Sequence, residues 1–226
     1  MSATIAVRAV LIDLDGTLLE TGPDIVAAAN RMLEELGRPT LPEVRVSEFI
    51  GKGVANLVTR CLQETNSPAD AGNLAAALAI FERHYLAGVA DRTRPYPGVV
   101  EGLERLASMG MPLGCVTNKA AMFTAPLLER TALARFFRVV VAGDTVAHKK
   151  PHPLPLMHAA AALGVAPAEL LVIGDSANDV LAARAAGCPV FVVPYGYREG
   201  MSVESLAADR VVADLVEAAG SITMAR

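Results

Sequence analysis

The sequence predicts an α/β fold in which a doubly wound, Rossmann-like parallel sheet carries an inserted α-helical domain. Two observations predict the sheet: short apolar runs bounded by turn residues recur along the chain, and helical patterns alternate with them. A third predicts the insertion, because residues 20–92 show helical patterns without a convincing strand pattern. A length of 226 residues suits one domain with an insertion, or two small domains.

The predicted strands are short, apolar and free of a polar face, which is typical of strands buried on both sides of a parallel sheet. They are Ala9–Ile12, Leu113–Val116, Arg138–Ala142, Leu170–Ile173 and Val190–Val193. The predicted helices between them are Val99–Met109, Met122–Thr131, Pro153–Leu163 and Asn178–Ala186. This alternation predicts right-handed βαβ units.

The predicted insertion begins with a helix whose first residues are Pro23 and Asp24, since proline suits a first helical position and an acidic residue suits the positive helix start. Gly37 can end this helix. Two further helices are predicted at Val54–Thr65 and Leu74–Gly88. We therefore predict a cap domain over residues 19–92 and a core domain over residues 1–18 and 93–226.

The composition excludes several classes of partner. The chain is 53% hydrophobic, enough for a packed core, and its net charge of -4 gives no electrostatic footprint for nucleic acid. Cys61, Cys115 and Cys188 are far apart and odd in number, which favours reduced thiols in a cytoplasmic protein. Charges and prolines interrupt every apolar stretch before it reaches membrane-spanning length. We expect a cytoplasmic monomer or homodimer with no nucleic-acid or membrane partner.

Turn and polar residues follow four of the predicted strands. They are Asp13, Asp15, Gly16 and Thr17 after the first, Thr117 and Asn118 after the second, Lys150 a few residues after the third, and Asp175 and Asp179 after the fourth. Ligands of open α/β sheets bind at these carboxyl ends. Clustered carboxylates repel one another unless a cation lies among them, and a hard divalent ion suits such ligands.

These four groups, in this order, resemble the motifs of the haloacid dehalogenase superfamily of phosphatases. The resemblance covers essentially the whole chain, including a helical cap inserted after the first motif. It implies a Mg²⁺-dependent phosphoric monoester hydrolase that acts on a small phosphate ester through an aspartyl-phosphate intermediate. The matching segments are Asp13-x-Asp15-Gly16-Thr17, Thr117-Asn118, Lys150-Pro151 and Gly174-Asp175-x-x-x-Asp179.

The resemblance also implies a role for each residue. Asp13 is the nucleophile, and Asp15 protonates the leaving oxygen and later deprotonates water. Lys150 offsets negative charge, and Thr117 binds phosphoryl oxygens. The remaining phosphate- or substrate-binding candidates are Gly16, Thr17, Asn118 and Lys52. The implied Mg²⁺ ligands are the Asp13 carboxylate, the Asp15 backbone carbonyl, Asp175 and, directly or through water, Asp179.

Several of these residues also have structural interpretations. Asp179 can simply favour the dipole of a helix that it begins, and Thr117-Asn118 taken alone is an ordinary helix cap or turn. Lys52, between Gly51 and Gly53, can be an exposed lysine at a helix start. The Tyr195-Gly196-Tyr197 segment can line the crevice or pack a loop.

The substrate is predicted from the cap. Segments such as Phe49–Val54 and Tyr195–Tyr197 resemble those of the bacterial phosphoglycolate phosphatases, so our first hypothesis is hydrolysis of 2-phosphoglycolate, with Lys52 as a candidate for its carboxylate. The alternatives are a sugar-phosphate phosphatase, for instance one acting on N-acetylmuramate 6-phosphate, and a β-phosphoglucomutase with the same core. A receiver-like signalling module belongs to a different class and is disfavoured, because its phosphorylated aspartate follows the third strand.

Overall fold

The computed structural model describes residues 4–66, 71–198 and 200–225. Within these ranges the chain forms ten β-strands and nine α-helices. The strands are β1 (Ile5–Val7), β2 (Ala9–Ile12), β3 (Leu19–Glu20), β4 (Arg94–Pro95), β5 (Leu113–Val116), β6 (Val139–Val141), β7 (Leu170–Gly174), β8 (Val190–Val192), β9 (Arg210–Val211) and β10 (Ile222–Met224). The helices are α1 (Gly22–Glu35), α2 (Glu43–Ser47), α3 (Val54–Glu64), α4 (Ala71–Ala87), α5 (Val99–Ser108), α6 (Ala121–Arg130), α7 (Leu154–Leu163), α8 (Ala177–Ala186) and α9 (Leu215–Gly220).

The main sheet has six strands in the order β6-β5-β2-β7-β8-β9, and every neighbouring pair is parallel. Numbered along the chain within this sheet, the order is 3-2-1-4-5-6, the arrangement of the Rossmann fold. The order reverses between β2 and β7, and ligands of such sheets bind in the crevice at this reversal. The predicted doubly wound α/β fold is confirmed.

Strand β2 is the central strand, and both of its faces are buried. Val10 and Ile12 pack in a cluster that continues into the helical insertion, whereas Ala9 and Leu11 pack in a second cluster on the opposite face of the sheet. Side chains of a strand alternate between its two faces, so a strand buried on both sides needs an uninterrupted apolar run. This explains why the sequence pattern identified β2 so readily.

The short elements escaped the sequence analysis. Strands β3 and β4 pair antiparallel over Leu19↔Pro95 and Glu20↔Arg94, and β1 pairs parallel with β10. Strands of two or three residues are too short to show a period, and β4 contains a proline, which usually argues against a strand. Helices α2 and α9, of five and six residues, were missed for the same reason.

Helices α1 to α4 lie between β3 and β4 and share an apolar core that includes Met32, Leu57 and Phe81. Tyr85 of α4 is fully buried and packs against Phe123 of α6, with ring centroids 5.0 Å apart. The helical insertion therefore contacts the sheet domain directly, above the carboxyl ends of the strands. The division into a cap over residues 19–92 and a core over residues 1–18 and 93–226 remains our proposal.

All three cysteines, Cys61, Cys115 and Cys188, are buried and free, as predicted for reduced thiols. In the described part of the chain, no helix combines the length and apolarity that a membrane crossing requires.

The two chain segments that connect the insertion to the sheet are tied together by Asp24. Its carboxylate, buried near the start of α1, accepts hydrogen bonds from the backbone N–H groups of Arg92 and Thr93 and from the Thr93 hydroxyl, at 2.7–3.1 Å. Asp24 thus accepts hydrogen bonds from three donors on the returning segment. It lies in the first turn of α1, as predicted from the helix dipole, and it also joins this helix to the returning segment.

Replacing Asp24 with alanine should lower the free energy of unfolding by about 3 kcal/mol, because buried donors would lose their partners. Urea unfolding followed by circular dichroism measures this change. Asp91→Ala is the matched control: Asp91 is exposed and lies 3.7 Å from Arg130, so its removal should cost about 0.5 kcal/mol or less. Equal losses in the two variants would contradict the role assigned to Asp24.

Candidate active site

A cavity of about 40 Å³ lies at the reversal of the strand order, between the sheet and the helical insertion. Its sheet side carries charged and polar groups, whereas its insertion side is mostly apolar. The predicted site residues that line it are Asp13, Asp15, Thr117, Asn118, Lys150 and Asp175. The topology therefore brings the ends of β2, β5 and β7, together with the segment after β6, to one small volume.

Lys150 lies at the centre of the charged groups. Its ammonium donates to Asp13 Oδ1 at 2.8 Å, to Asp179 Oδ1 at 2.6 Å and to the Val116 carbonyl at 2.7 Å. These contacts use all three protons of the ammonium, and the residue is only 5% exposed. Burial lowers the pKa of Lys150, but Asp13 and Asp179 raise it more, so it lies above its usual range and the ammonium stays charged.

Asp13 follows β2 directly, and its backbone N–H donates to the Ile173 carbonyl at 2.9 Å. Burial raises the pKa of its carboxyl to about 7; Lys150 opposes this shift, whereas Asp179 and Asp15 add to it. The charge of the Asp13 carboxyl near neutral pH therefore depends on the positive groups that offset the neighbouring carboxylates.

Asp15 faces a second lysine, Lys119, which the sequence analysis did not select. The Lys119 ammonium lies 3.0 Å from Asp15 Oδ1, and the Thr21 hydroxyl donates to the same oxygen at 2.6 Å. Burial lowers the pKa of Lys119, but Asp15 and Tyr85 raise it more, to above its usual range. Each of the two aspartates after β2 therefore has its own lysine: Lys150 for Asp13, and Lys119 for Asp15.

Asp175 follows β7 and is almost fully buried. Its Oδ1 accepts a hydrogen bond from the Thr17 hydroxyl at 2.8 Å, and its Oδ2 accepts one from the Tyr197 backbone N–H at 2.6 Å. Burial raises the pKa of Asp175 well above its usual value, and the charges of Asp13 and Asp179 add to this rise.

Two glycines allow the chain to approach the Asp175 carboxylate closely. A Cβ at Gly16, where φ is +86°, would lie 2.4 Å from Oδ2, and one at Gly196 would lie 2.2 Å from it. Gly16 was predicted as a candidate for phosphate or substrate binding, and the structure shows that no side chain fits at this position beside Asp175. Thr17, another candidate for phosphate or substrate binding, donates its hydroxyl proton to the Asp175 carboxylate.

Asp13, Asp175 and Asp179 form a cluster that can hold a metal ion, since one carboxylate oxygen from each lies within 4.8 Å of the others. Two of the three carboxylates are almost fully buried, and the raised pKa values of Asp13 and Asp175 show that their charges are poorly compensated by protein groups alone. Oxygen ligands of this kind suit a hard divalent cation. The Asp15 carboxylate turns instead to Lys119 and Thr21.

Asp179 has the helix-start position that one interpretation required, and it also contacts the lysine of the site. It lies in the first turn of α8, where its Oδ2 accepts hydrogen bonds from the Ser176 backbone N–H and hydroxyl. Its Oδ1 binds Lys150. The residue thus begins a helix and also holds the lysine of the site.

Asn118 connects the sheet domain to the insertion, whereas Thr117 supplies a hydroxyl at the cavity wall. The Asn118 amide donates to the Gly51 carbonyl at 3.0 Å and to the Lys150 carbonyl at 2.9 Å. Thr117 Oγ1 accepts from the Lys119 backbone N–H at 3.1 Å.

Lys52 is exposed and does not line the cavity. It contributes instead to an adjoining depression, together with Asn118, Lys149 and Arg198. The structure therefore brings together nine of the ten site residues predicted from the sequence and places Lys52 at their edge.

Sequence reasoning missed two residues, Lys119 and Tyr85. Lys119 directly follows Thr117-Asn118, so its position in the motif was the available signal. Tyr85 lies on a predicted helix, but nothing in its periodic pattern distinguished it from a core aromatic. Tyr197 was considered for the crevice or for loop packing, and it does both: it lines the cavity, and its hydroxyl accepts a hydrogen bond from the Gly22 backbone N–H at 2.6 Å.

Comparison with known proteins agrees with this geometry. Residues 10–193 match the family model of the haloacid dehalogenase-like hydrolases. A phosphoglycolate phosphatase of Thiobacillus denitrificans is 51% identical over 225 residues, which are 99% of each chain.

Solved structures show the same fold. A protein from Haemophilus somnus, described as a predicted phosphoglycolate phosphatase, superposes with a TM-score of 0.90 at 29% identity, over 94% of this chain and 96% of that one. CbbY from Rhodobacter sphaeroides, solved in complex with phosphate, superposes with a TM-score of 0.79 at 25% identity, over 93% and 96% of the two chains.

The carboxylate cluster predicts a pH-dependent response to Mg²⁺. The pKa of Asp13 is raised from 3.8 to about 7 in the metal-free fold, so its contribution to stability is complete below pH 3.8 and is lost as the pH rises through 7. The melting temperature of metal-free protein should therefore fall between pH 5.5 and 8. Because protons compete with Mg²⁺ for the carboxylates, added Mg²⁺ should raise the melting temperature more at pH 8 than at pH 5.5.

Differential scanning fluorimetry with and without Mg²⁺ measures both trends. Asp91→Asn, which removes an exposed carboxylate outside the site, should respond as the wild type does, whereas Asp13→Asn should lose most of the response. A larger effect of Mg²⁺ at pH 5.5 would contradict the assignment of the cluster.

Proposed function

The chain belongs to the haloacid dehalogenase-like hydrolase family, and from this premise we propose that it is a Mg²⁺-dependent phosphatase that hydrolyses 2-phosphoglycolate to glycolate and phosphate. The observation that carries the proposal is the pairing of two aspartates with two lysines at the reversal of the strand order. The Asp13–Lys150 pair suits a nucleophile, and the Asp15–Lys119 pair suits a group that exchanges a proton with the substrate. The name of the 51% identical relative supports the choice of substrate.

We assign the first chemical step to Asp13. Its Oδ1 binds Lys150, and Oδ2 is the oxygen that attacks phosphorus. A bond forms between this oxygen and phosphorus while the bond from phosphorus to the ester oxygen breaks. The ester oxygen takes the proton of Asp15, and glycolate leaves as an alcohol.

The second step removes the phosphoryl group from Asp13. Asp15, now a carboxylate, takes a proton from water as the water oxygen bonds to phosphorus, and the bond between phosphorus and Asp13 breaks. Phosphate leaves and Asp15 carries its proton again. Lys119 and Thr21 hold Asp15 in position for both transfers.

The remaining charges stabilise the phosphoryl group. Lys150 offsets the negative charge that Asp13 and the phosphoryl oxygens share, and Asp179 holds Lys150 in place. The Thr117 hydroxyl and nearby backbone N–H groups are the proposed ligands of phosphoryl oxygens, with Gly16, Thr17 and Asn118 supporting this part of the site. Mg²⁺ bound by the Asp13 and Asp175 carboxylates, with the Asp15 carbonyl and Asp179 nearby, would supply further positive charge.

The cavity favours a small substrate. At about 40 Å³ it is far below the roughly 300–1,000 Å³ of pockets that enclose drug-sized ligands. Its insertion side is formed by apolar side chains such as Phe49, Ile50 and Leu57, which offer no partners to the hydroxyl groups of a sugar. Both features favour phosphoglycolate over a sugar phosphate.

A panel of phosphate monoesters tests the proposal. With Mg²⁺, phosphoglycolate should give a higher kcat/KM than N-acetylmuramate 6-phosphate or β-glucose 1-phosphate, measured as released phosphate. Asp13→Asn should lower kcat roughly a thousandfold or more, because the nucleophile is lost. Asp91→Asn is the matched control. If a sugar phosphate gives the highest kcat/KM, the proposed substrate is wrong. If Asp13→Asn stays active, the proposed mechanism is wrong.

The two roles of Asp15 predict a trapped intermediate. The leaving group of p-nitrophenyl phosphate needs little help from an acid. With this substrate, Asp15→Asn should still transfer the phosphoryl group to Asp13, but it should hydrolyse the resulting aspartyl phosphate slowly. Mass spectrometry of the quenched protein should then show phosphorylated Asp13, with overall turnover reduced roughly a hundredfold. Rapid release of phosphate by this variant, without a phosphorylated species, would contradict the assigned base.

A further inference from the structure

The substrate has a second charged end for which the proposed chemistry gives no partner. The insertion side of the cavity is apolar, and its one ionisable side chain, Tyr85 of α4, has a hydroxyl. Among the described residues, no group accepts a hydrogen bond from that hydroxyl, and the residue is fully buried. Buried polar groups are nearly always paired in folded proteins, so a hydroxyl that faces a cavity and has no acceptor for its proton indicates that a ligand supplies one.

A buried cation lies beside this hydroxyl. The Lys119 ammonium is 4.9 Å from the centroid of the Tyr85 ring and 3.0 Å from Asp15 Oδ1. An ammonium has three protons, so a contact with Asp15 leaves it able to bind a further acceptor. A tyrosine on the insertion side and an ammonium on the sheet side thus lie next to each other in the wall of the cavity.

We propose that Tyr85 and Lys119 form the subsite for the carboxylate of the substrate, and that Tyr85 is a specificity-determining residue. The inference rests on the proposed function. Asp15 must lie at the ester oxygen to protonate it, and a single methylene separates that oxygen from the carboxylate carbon of phosphoglycolate. Lys119 is the immediate neighbour of Asp15, so a carboxylate at this short distance reaches the ammonium and the Tyr85 hydroxyl together.

The subsite also explains how the site discriminates between anions. Lys119 stands between Asp15 and the incoming carboxylate, so it offsets repulsion between these two acidic groups. Tyr85 adds a donor from the insertion, which means that the carboxylate contacts both parts of the molecule. A longer alcohol would carry its polar groups past this pair and onto the apolar wall formed by Phe49 and Phe81.

The test compares phosphoglycolate with ethyl phosphate, in which a methyl group replaces the carboxylate. Tyr85→Phe should lower the ratio of the two kcat/KM values about tenfold, mainly through KM for phosphoglycolate, since the variant loses one hydrogen bond to a charged group. Thr59→Val is the matched control: it removes another insertion hydroxyl, which binds the Ala55 carbonyl at 2.8 Å outside the cavity. Its ratio should equal that of the wild type.

A binding measurement separates recognition from chemistry. In 3-phosphonopropionate and propylphosphonate a methylene replaces the ester oxygen of phosphoglycolate and ethyl phosphate, so neither compound is hydrolysed. The wild type should bind 3-phosphonopropionate more tightly than propylphosphonate, and the ratio of their inhibition constants should shrink about tenfold in Tyr85→Phe. Lys119→Gln should lower the ratio in the same direction and also slow both esters, because it contacts Asp15.

The outcomes distinguish this inference from the proposed function. A wild type that shows no preference for phosphoglycolate over ethyl phosphate would overturn both. A wild type with the preference, and a Tyr85→Phe variant that keeps it in both measurements, would overturn the subsite alone. A loss of preference in Lys52→Ala but not in Tyr85→Phe would also overturn it, and would place the carboxylate at the adjoining depression.

Discussion

Acidic side chains crowd the reversal of the strand order, and their compensation by two buried lysines is the constraint on which the rest of the structure depends. Lys150 binds Asp13, Asp179 and the Val116 carbonyl, so it links the ends of β2 and β5 to the start of α8. Protein charges alone leave the balance incomplete, because burial and mutual repulsion still raise the pKa values of Asp13 and Asp175. Such a residual negative charge is what a cation would neutralise, and the proposed Mg²⁺ site rests on it.

Hydrogen bonds connect the helical insertion to the charged groups of the candidate active site. Asn118 binds the Gly51 carbonyl of the insertion and the Lys150 carbonyl of the sheet domain, while Tyr197 binds Asp175 through its backbone and Gly22 through its hydroxyl. Asp24 joins the two connecting segments. A change in the position of the insertion would therefore disturb the contacts of both Lys150 and Asp175. Through such contacts a cap can make catalysis depend on a correctly bound substrate.

Selectivity follows from how polar groups are divided between the two sides of the cavity. The sheet side supplies the charged groups, among them Asp13, Asp15 and Lys150, to which the proposed phosphoryl chemistry is assigned. The insertion side supplies apolar surface and the hydroxyl of Tyr85, and in the proposed subsite this hydroxyl is the second polar group that the substrate meets.

The sequence by itself determined five strands of the main sheet, the longer helices and the candidate reacting groups. Apolar runs such as Ala9–Ile12 are long enough to show their burial, and Asp13, Asp15, Lys150 and Asp175 are identified by short motifs at strand ends. Only the tertiary structure decided which groups meet across long separations. It paired Lys119 with Asp15, brought Tyr85 of a helix 70 positions after Asp15 to the same place, and left Lys52 at the edge. A motif records neighbours along the chain, whereas such contacts depend on how the insertion packs on the sheet, and a single sequence carries no local signal for that packing.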